Sequence, residues 1–169
     1  QGYYAASLGG ENLMGWHVNN GLQSMASFYP AARFHNSLYR PDIIRRVLEA
    51  GDLQLAHRQA DLASARVTTP IVITAAMPPV VKLALEESAT RDAGSTIDVQ
   101  AAATPSGEDP IRSWQLLVDG RPHGAPQAIE AASAPKSAAY QRQYWSVDLP
   151  PGRHRIAVRE ETDKSYGLG

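Results

Sequence analysis

Apolar residues repeat with two different periods in this chain, and the change falls at Pro78-Pro79. Beyond those prolines the period is two. Val81, Leu83 and Leu85 alternate with Lys82, Ala84 and Glu86, and Ile97, Val99, Ala101 and Ala103 alternate with Asp98, Gln100 and Ala102. Trp114, Leu116 and Val118 run up to Asp119-Gly120, a dipeptide that suits the positive φ angles of a two-residue hairpin turn. Trp145, Val147 and Leu149 alternate with Tyr144, Ser146 and Asp148. After Pro150-Pro151-Gly152, His154, Ile156 and Val158 alternate with Arg153, Arg155 and Arg159. A period of two is what a strand with one buried face requires. Several such strands, separated by turns, predict an immunoglobulin-like antiparallel β-sandwich over residues 79–169. Trp114 and Trp145 share the phase of their apolar neighbours and are expected in its core. The Ala-, Ser- and Pro-rich stretch 124–139 is expected to be a long, mobile inter-strand loop.

Residues 1–78 read as a β-hairpin and a helical junction with an extended linker, so the chain as a whole is expected to be mainly β. Residues 2–7 and 12–18 read as two strands joined by the glycine turn Leu8-Gly9-Gly10-Glu11. Pro30 is placed to open a short helix carrying Phe34, Leu38 and Tyr39, and Pro41 to open a second. In that second helix Ile43, Ile44, Val47 and Leu48 form one apolar stripe, with Arg45, Arg46 and Glu49 opposite and Gly51 as C-cap. Asp52 can N-cap a third helix carrying Leu53, Ala56, Ala60 and Leu62 on its apolar side. Residues 67–77, with Pro70 and several β-branched side chains, suggest an extended crossing segment.

Composition narrows the function classes. Hydrophobic residues make up 43% and charged residues 20%, which is enough apolar material for a core. Sixteen basic and 17 acidic side chains give a net charge of -1, and neither part carries a charge excess that calls for nucleic acid or an acidic membrane as partner. Cysteine is absent, which excludes disulfides, thiolate catalysis and cysteine-bound zinc. No apolar run approaches the ~20 residues of a membrane helix, and a cytoplasmic protein is the expectation. The abrupt ends, Gln1-Gly2-Tyr3-Tyr4 and Ser165-Tyr166-Gly167-Leu168-Gly169, read as cuts through a longer polypeptide.

The stretch Gly2-Tyr3-Tyr4-Ala5-Ala6-Ser7, with residues 11–19 and the run from Phe28-Tyr29-Pro30 to Leu48, resembles a junction in large bacterial multidomain proteins. Those proteins join a WD-repeat β-propeller to a caspase-like (clan CD) peptidase domain. Residues 78–169 are similar to the immunoglobulin-like domain that often follows, through Pro78-Pro79-Val80-Val81, Leu117-Val118-Asp119-Gly120-Arg121-Pro122 and Leu149-Pro150-Pro151-Gly152 with His154. The propeller repeats and the peptidase domain are missing from this sequence. With no cysteine, no caspase-type nucleophile carries over to any position.

Candidate chemistry is sparse. The histidines His17, His35, His57, His123 and His154 show no HxxxH or HExxH spacing, and each reads as a structural histidine. His154 is expected on the inward phase of its strand, with a ring nitrogen bonded to a loop carbonyl. No G-x-S-x-G marks a serine nucleophile. The acidic pairs Glu86-Glu87 and Glu108-Asp109 lack calcium-loop spacing, and Gly9-Gly10 lacks that of a phosphate cradle. Tyr3, Tyr4, Trp16, Phe28 and Tyr29, with Arg40, Arg45 and Arg46, are the candidate interface, because the first part holds more aromatic rings than so small a unit easily buries. The expected function is a non-catalytic connector with no cofactor, metal or catalytic residue, whose partners are neighbouring domains or another protein. An independent protein- or glycan-recognition module is the runner-up.

Overall fold

The computed structural model describes residues 2–65, 68–91, 94–107, 109–129 and 141–169, with the side chains of 87–91 and 94–95 left aside. The chain is mainly β, with antiparallel sheets and a few helices, and it divides into two compact units, Gln1–Ala76 and Met77–Gly169.

In the first unit, strand β1 (Gly15–Val18) pairs antiparallel with β2 (Ser27–Pro30), setting Trp16 opposite Tyr29 and His17 opposite Phe28. This corrects the expected hairpin between residues 2–7 and 12–18. Residues 2–7 instead run beside the first helix, making one parallel bridge between Tyr4 and Tyr39. Tyr4 N–H donates to the Leu38 carbonyl and Arg40 N–H to the Tyr4 carbonyl, each at 3.0 Å. Turn geometry and cross-strand partners together decide this pairing. Gly9 takes φ 78° and leads into a 3₁₀ turn, Gly10–Asn12, instead of reversing the chain in register. The Phe28-Tyr29 pair supplies aromatic cross-strand partners that the small side chains of residues 5–7 cannot.

A 3₁₀ turn (Ala31–Phe34) precedes the short helix α1 (His35–Leu38), then α2 (Pro41–Ala50) and α3 (Leu53–Ser64). The punctuation is that expected from the sequence. Pro41 sits in the first turn of α2, Gly51 closes it at φ 67°, and the Asp52 carboxylate caps α3 by accepting from Leu55 N–H at 2.6 Å. The apolar stripe of α2 is narrower than expected. Ile43 is buried and Val47 packs beside it with Ala56 and Ala60, while Leu48 is 84% exposed because α3 covers one flank of the helix only. Tyr4, Ala31, Phe34, Leu38 and Ala76 form the other core cluster. Residues 68–72 belong to no helix or strand and residues 73–76 turn in a 3₁₀ element (Ile73–Ala76), which corrects the extended crossing expected over 67–77; residue 67 lies outside the described residues.

The second unit contains two antiparallel sheets. One is ordered β3 (Val80–Arg91), β4 (Gly94–Thr104), β8 (Gln141–Leu149). The other runs β10 (Tyr166–Leu168), β9 (Ile156–Glu161), β5 (Ser113–Val118), and β5 then pairs with both β6 (Arg121–Pro122) and β7 (Gln127–Ala128). The pairing of β7 places a strand inside the stretch read as loop, and residues 130–139 of that stretch lie outside the described residues. One core joins the sheets: Val99, Ala101 and Ala103 of β4 and Val147 and Leu149 of β8 meet Trp114 and Leu116 of β5, Val158 of β9 and Ile111. Alanines on β4 are small enough to let the bulk of Trp114 fit between the sheets. At the sheet edge Gly167 is obligatory, because a Cβ there would come within 2.5 Å of the Pro79 carbonyl oxygen.

The inward phase of β9 also carries Glu160, opposite Trp114 on one side and Gly167 on the other. It is fully buried, and neither carboxylate oxygen has a hydrogen-bond partner among the described residues. Burial alone pushes its carboxyl up to about 8, so the group is mostly protonated at neutral pH.

Two outcomes are expected. Trp114 is 2% exposed and Trp145 half-buried, with ring centroids 6.2 Å apart. Trp114→Ala should therefore cost ~3–5 kcal/mol and Trp145→Ala distinctly less, read from urea midpoints. For Glu160 the folded value lies above the unfolded one, so its stabilising contribution is complete below about 4.5 and is lost as pH rises through about 8. Glu160→Gln should match the parent chain near pH 4.5 and exceed its stability by roughly 3–5 kcal/mol near pH 9; equal pH slopes for the two proteins would refute this account.

Candidate interaction surface

Aromatic rings of the first unit separate into a packed set and an exposed set. Trp16 lies edge-on to Phe34 at 5.0 Å and to Tyr4 at 5.8 Å, and Tyr4 lies edge-on to Tyr39 at 5.6 Å. Such arrangements match the positive ring edge of one partner to the negative face of the other. Tyr4 is only 4% exposed, and its hydroxyl lies 2.9 Å from both the Ala31 carbonyl and Glu11 Oε2. Glu11 also meets His35 Nδ1 at 2.8 Å, and that bond, followed by the one from Tyr4, holds its carboxyl below the usual range. The His35 ring stacks on Tyr39. Trp16, Tyr3 and Tyr29 are half-buried.

Phe28 belongs to the exposed set at 46%, on the outer face of the β1–β2 ribbon with the His17 ring 5.0 Å away. Leu8, Leu13, Met14, Leu22 and Met25 are exposed in the segments before β1 and between the two strands. Sequence reasoning singled out Met14, with Tyr3, Tyr4 and Trp16, as packing on another body, and missed the other four. Their available signal was position: large apolar side chains next to Gly9-Gly10 and Asn19-Asn20-Gly21, where no strand or helix period provides a buried face.

The three arginines do not form one cluster. Arg40 is bidentate on Asp42 at 2.9 Å, donates to Thr68 Oγ1 at 3.2 Å and lies 6.0 Å from the Tyr3 ring centroid. The Asp42 bond raises Arg40 and, reciprocally, holds the Asp42 carboxyl down. Arg46 donates to the Asp42 carbonyl, and Arg45 is exposed.

Around Arg40 a polar knot closes that sequence reasoning did not anticipate, although the i, i+4 spacing of His57 and Asp61 on α3 was a signal for it. The Tyr3 hydroxyl is 3.2 Å from His57 Nε2, and His57 Nδ1 is 3.3 Å from Asp61 Oδ2. Thr68 donates to Asp61 through its hydroxyl at 2.6 Å and its N–H at 3.2 Å. An Asp–His–hydroxyl relay of this order has the connectivity of a nucleophile triad. Its chemistry argues otherwise: burial raises the Tyr3 phenol and so weakens it as a nucleophile. Arg40, which a substrate anion would need, is already spent on Asp42 and Thr68. The arrangement fastens residue 3 to α3 and to the chain leaving it.

The remaining candidates scatter. Glu86 stands opposite Asp98 on β4, the side chain of Glu87 and all of Glu108 lie outside the described residues, and Asp109 pairs with Lys164 at 2.8 Å. His154 precedes β9 in a loop, which corrects its placement in the strand: β9 begins at Ile156 because the backbone before it is taken by the Asp119 turn. Its Nε2 does meet a loop carbonyl, Pro150 O, at 3.0 Å. Among the described residues no group of three or more His, Cys, Asp or Glu is placed to hold a metal ion, and no helix is long and apolar enough to cross a membrane. No family model, curated protein or solved structure matches the chain.

The knot makes a specific prediction. Hydrogen bonding by Thr68, through the hydroxyl first and the backbone second, keeps the Asp61 carboxyl below its ordinary range. Thr68→Val removes one donor and keeps the other, so the Asp61 titration followed by carboxyl NMR should move up only part of the way. A lowered carboxyl contributes stability above its unfolded value that is lost as pH falls through the folded one. The variant should therefore lose less stability than the parent chain on acidification.

Proposed function

We propose that the chain is a non-catalytic connector within a larger multidomain protein, positioning a WD-repeat propeller relative to a caspase-like effector domain. The observation that carries this reading is the β1–β2 ribbon. Among the described residues it has two strands and no further strand pairs with either edge, and its outer face and flanking segments expose Phe28, Met14, Leu13 and Met25. A two-stranded ribbon is marginal alone, and clustered exposed apolar side chains mark surfaces that another body covers. Tyr4 and Arg40 are committed to internal contacts and Trp16 and Tyr29 pack on the core of the first unit, which leaves the interface role to Phe28 with the exposed leucines and methionines. In this reading the second unit is an immunoglobulin-like sandwich that acts as a rigid spacer. Support for that assignment is the buried Trp114 at the centre of two antiparallel sheets with a shared core.

Hydrogen exchange tests the connector role. Amides of residues 15–18 and 27–29 should exchange quickly in the chain alone and slow by at least about tenfold in the full-length parent, while those around Trp114 and Val158 stay protected in both. Equal protection of the ribbon in both forms would refute the reading.

A further inference from the structure

The turn between β5 and β6 is Asp119-Gly120, with φ of 52° and 77° at its two residues. Positive φ at both positions is the geometry of the tight hairpin that aspartate and glycine favour. It lays Asp119 against the β8–β9 connection. Asp119 N–H donates to the Arg155 carbonyl at 2.8 Å, and Arg155 N–H returns a bond to Asp119 Oδ1 at 2.9 Å. The second carboxylate oxygen is 2.9 Å from His154 Nδ1, and His154 Nε2 is 3.0 Å from the Pro150 carbonyl. Both neighbours of the imidazole are acceptors. A neutral ring has one N–H and satisfies one of them; the imidazolium satisfies both. The geometry therefore favours a positive His154, and its two acceptors raise the ring in the same direction, the Asp119 bond foremost.

An open cleft of about 480 Å³ lies over this clasp, lined by Asp119, Gly120, Arg153, His154 and Arg155. Arg153 and Arg155 are exposed, and neither guanidinium has an ion pair among the described residues. Arg121 on β6 adds a further positive charge near Asp119. The single carboxylate of the cleft is occupied by the Arg155 N–H and by His154, whereas the arginine forks keep their donors. The cleft thus pairs spent negative charge with available positive charge, in a chain whose net charge is -1.

We propose that this cleft binds an acidic peptide segment, with carboxylates taken by Arg153 and Arg155 beside the charge of His154. A peptide fits better than a small inorganic anion. Each exposed ion pair contributes little by itself, and among the described residues the cleft has no buried donors converging on one point. A chain carrying several carboxylates sums these small terms, because after the first contact the others form within one complex.

The test uses the whole chain and a fluorescein-labelled hexaglutamate peptide, followed by anisotropy in low salt. Binding is expected to weaken by at least about tenfold in the double variant Arg153→Gln, Arg155→Gln and to stay unchanged in Arg45→Gln, Arg46→Gln, which carries the same charge loss on α2. Salt should weaken it further, as screened charges require. Circular dichroism checks that each variant is folded, and the substituted side chains are all outside the cores. No binding of the peptide, equal weakening by the α2 variant, or equal affinity for unlabelled pyrophosphate in competition would overturn the proposal.

Discussion

Trp114 is the side chain around which the second unit is built. It sits in β5, the central strand of its sheet, and faces the alanines and valines of β4 and β8 across the core. Apolar burial of this kind is non-directional, yet close packing makes it specific about size. A ring as large as indole fits because Ala101 and Ala103 lie on the facing sheet. The same geometry aligns β9, whose Val158 is opposite Leu116 and whose Glu160 is opposite Trp114 itself. Glu160 is thus carried into the core by the strand's register. One carboxyl, mostly protonated at neutral pH and without a hydrogen-bond partner among the described residues, accompanies the apolar phase of β9 into the core.

The first unit depends on a different device. Its two small core clusters contain several alanines and few large aliphatic residues, so polar contacts complete the job of holding the pieces. Residue 4 is fixed by its backbone to residues 38 and 40 and by its hydroxyl to Ala31 and Glu11. Residue 3 is fixed by the knot through His57, Asp61 and Thr68, with Arg40 beside it. The β1–β2 ribbon is held on one face through Trp16 and Tyr29, which pack on the core cluster, leaving Phe28 and its apolar neighbours outward. The proposed connector role follows from that imbalance between a tied inner face and an unsatisfied outer one.

Charge is arranged quite differently in the two units. In the first, Arg40 and the carboxylates Asp42, Asp61 and Glu11 are engaged internally. At the Asp119 turn of the second, the carboxylate is engaged, whereas the Arg153 and Arg155 guanidiniums have no ion pair among the described residues. Exposed guanidiniums contribute little to stability, which leaves them open to an external carboxylate.

From its own residues the chain determined many of the features that depend on near neighbours. Strands β3, β4, β5 and β8 follow from alternation, the Asp119-Gly120 hairpin from its turn chemistry, and the ends of α2 and α3 from Pro41, Gly51 and Asp52. These are set by steric preferences and hydrogen bonds within a few residues, so the sequence displays them directly. Tertiary structure decided which segments met. It paired β1 with residues 27–30 in place of 2–7, left Leu48 in solvent, buried Glu160, and brought His154 to an aspartate 35 residues away. Several segments were able to pair with β1 by local preference. The choice among them rests on summed contacts with distant side chains, and these exist only once the chain has folded.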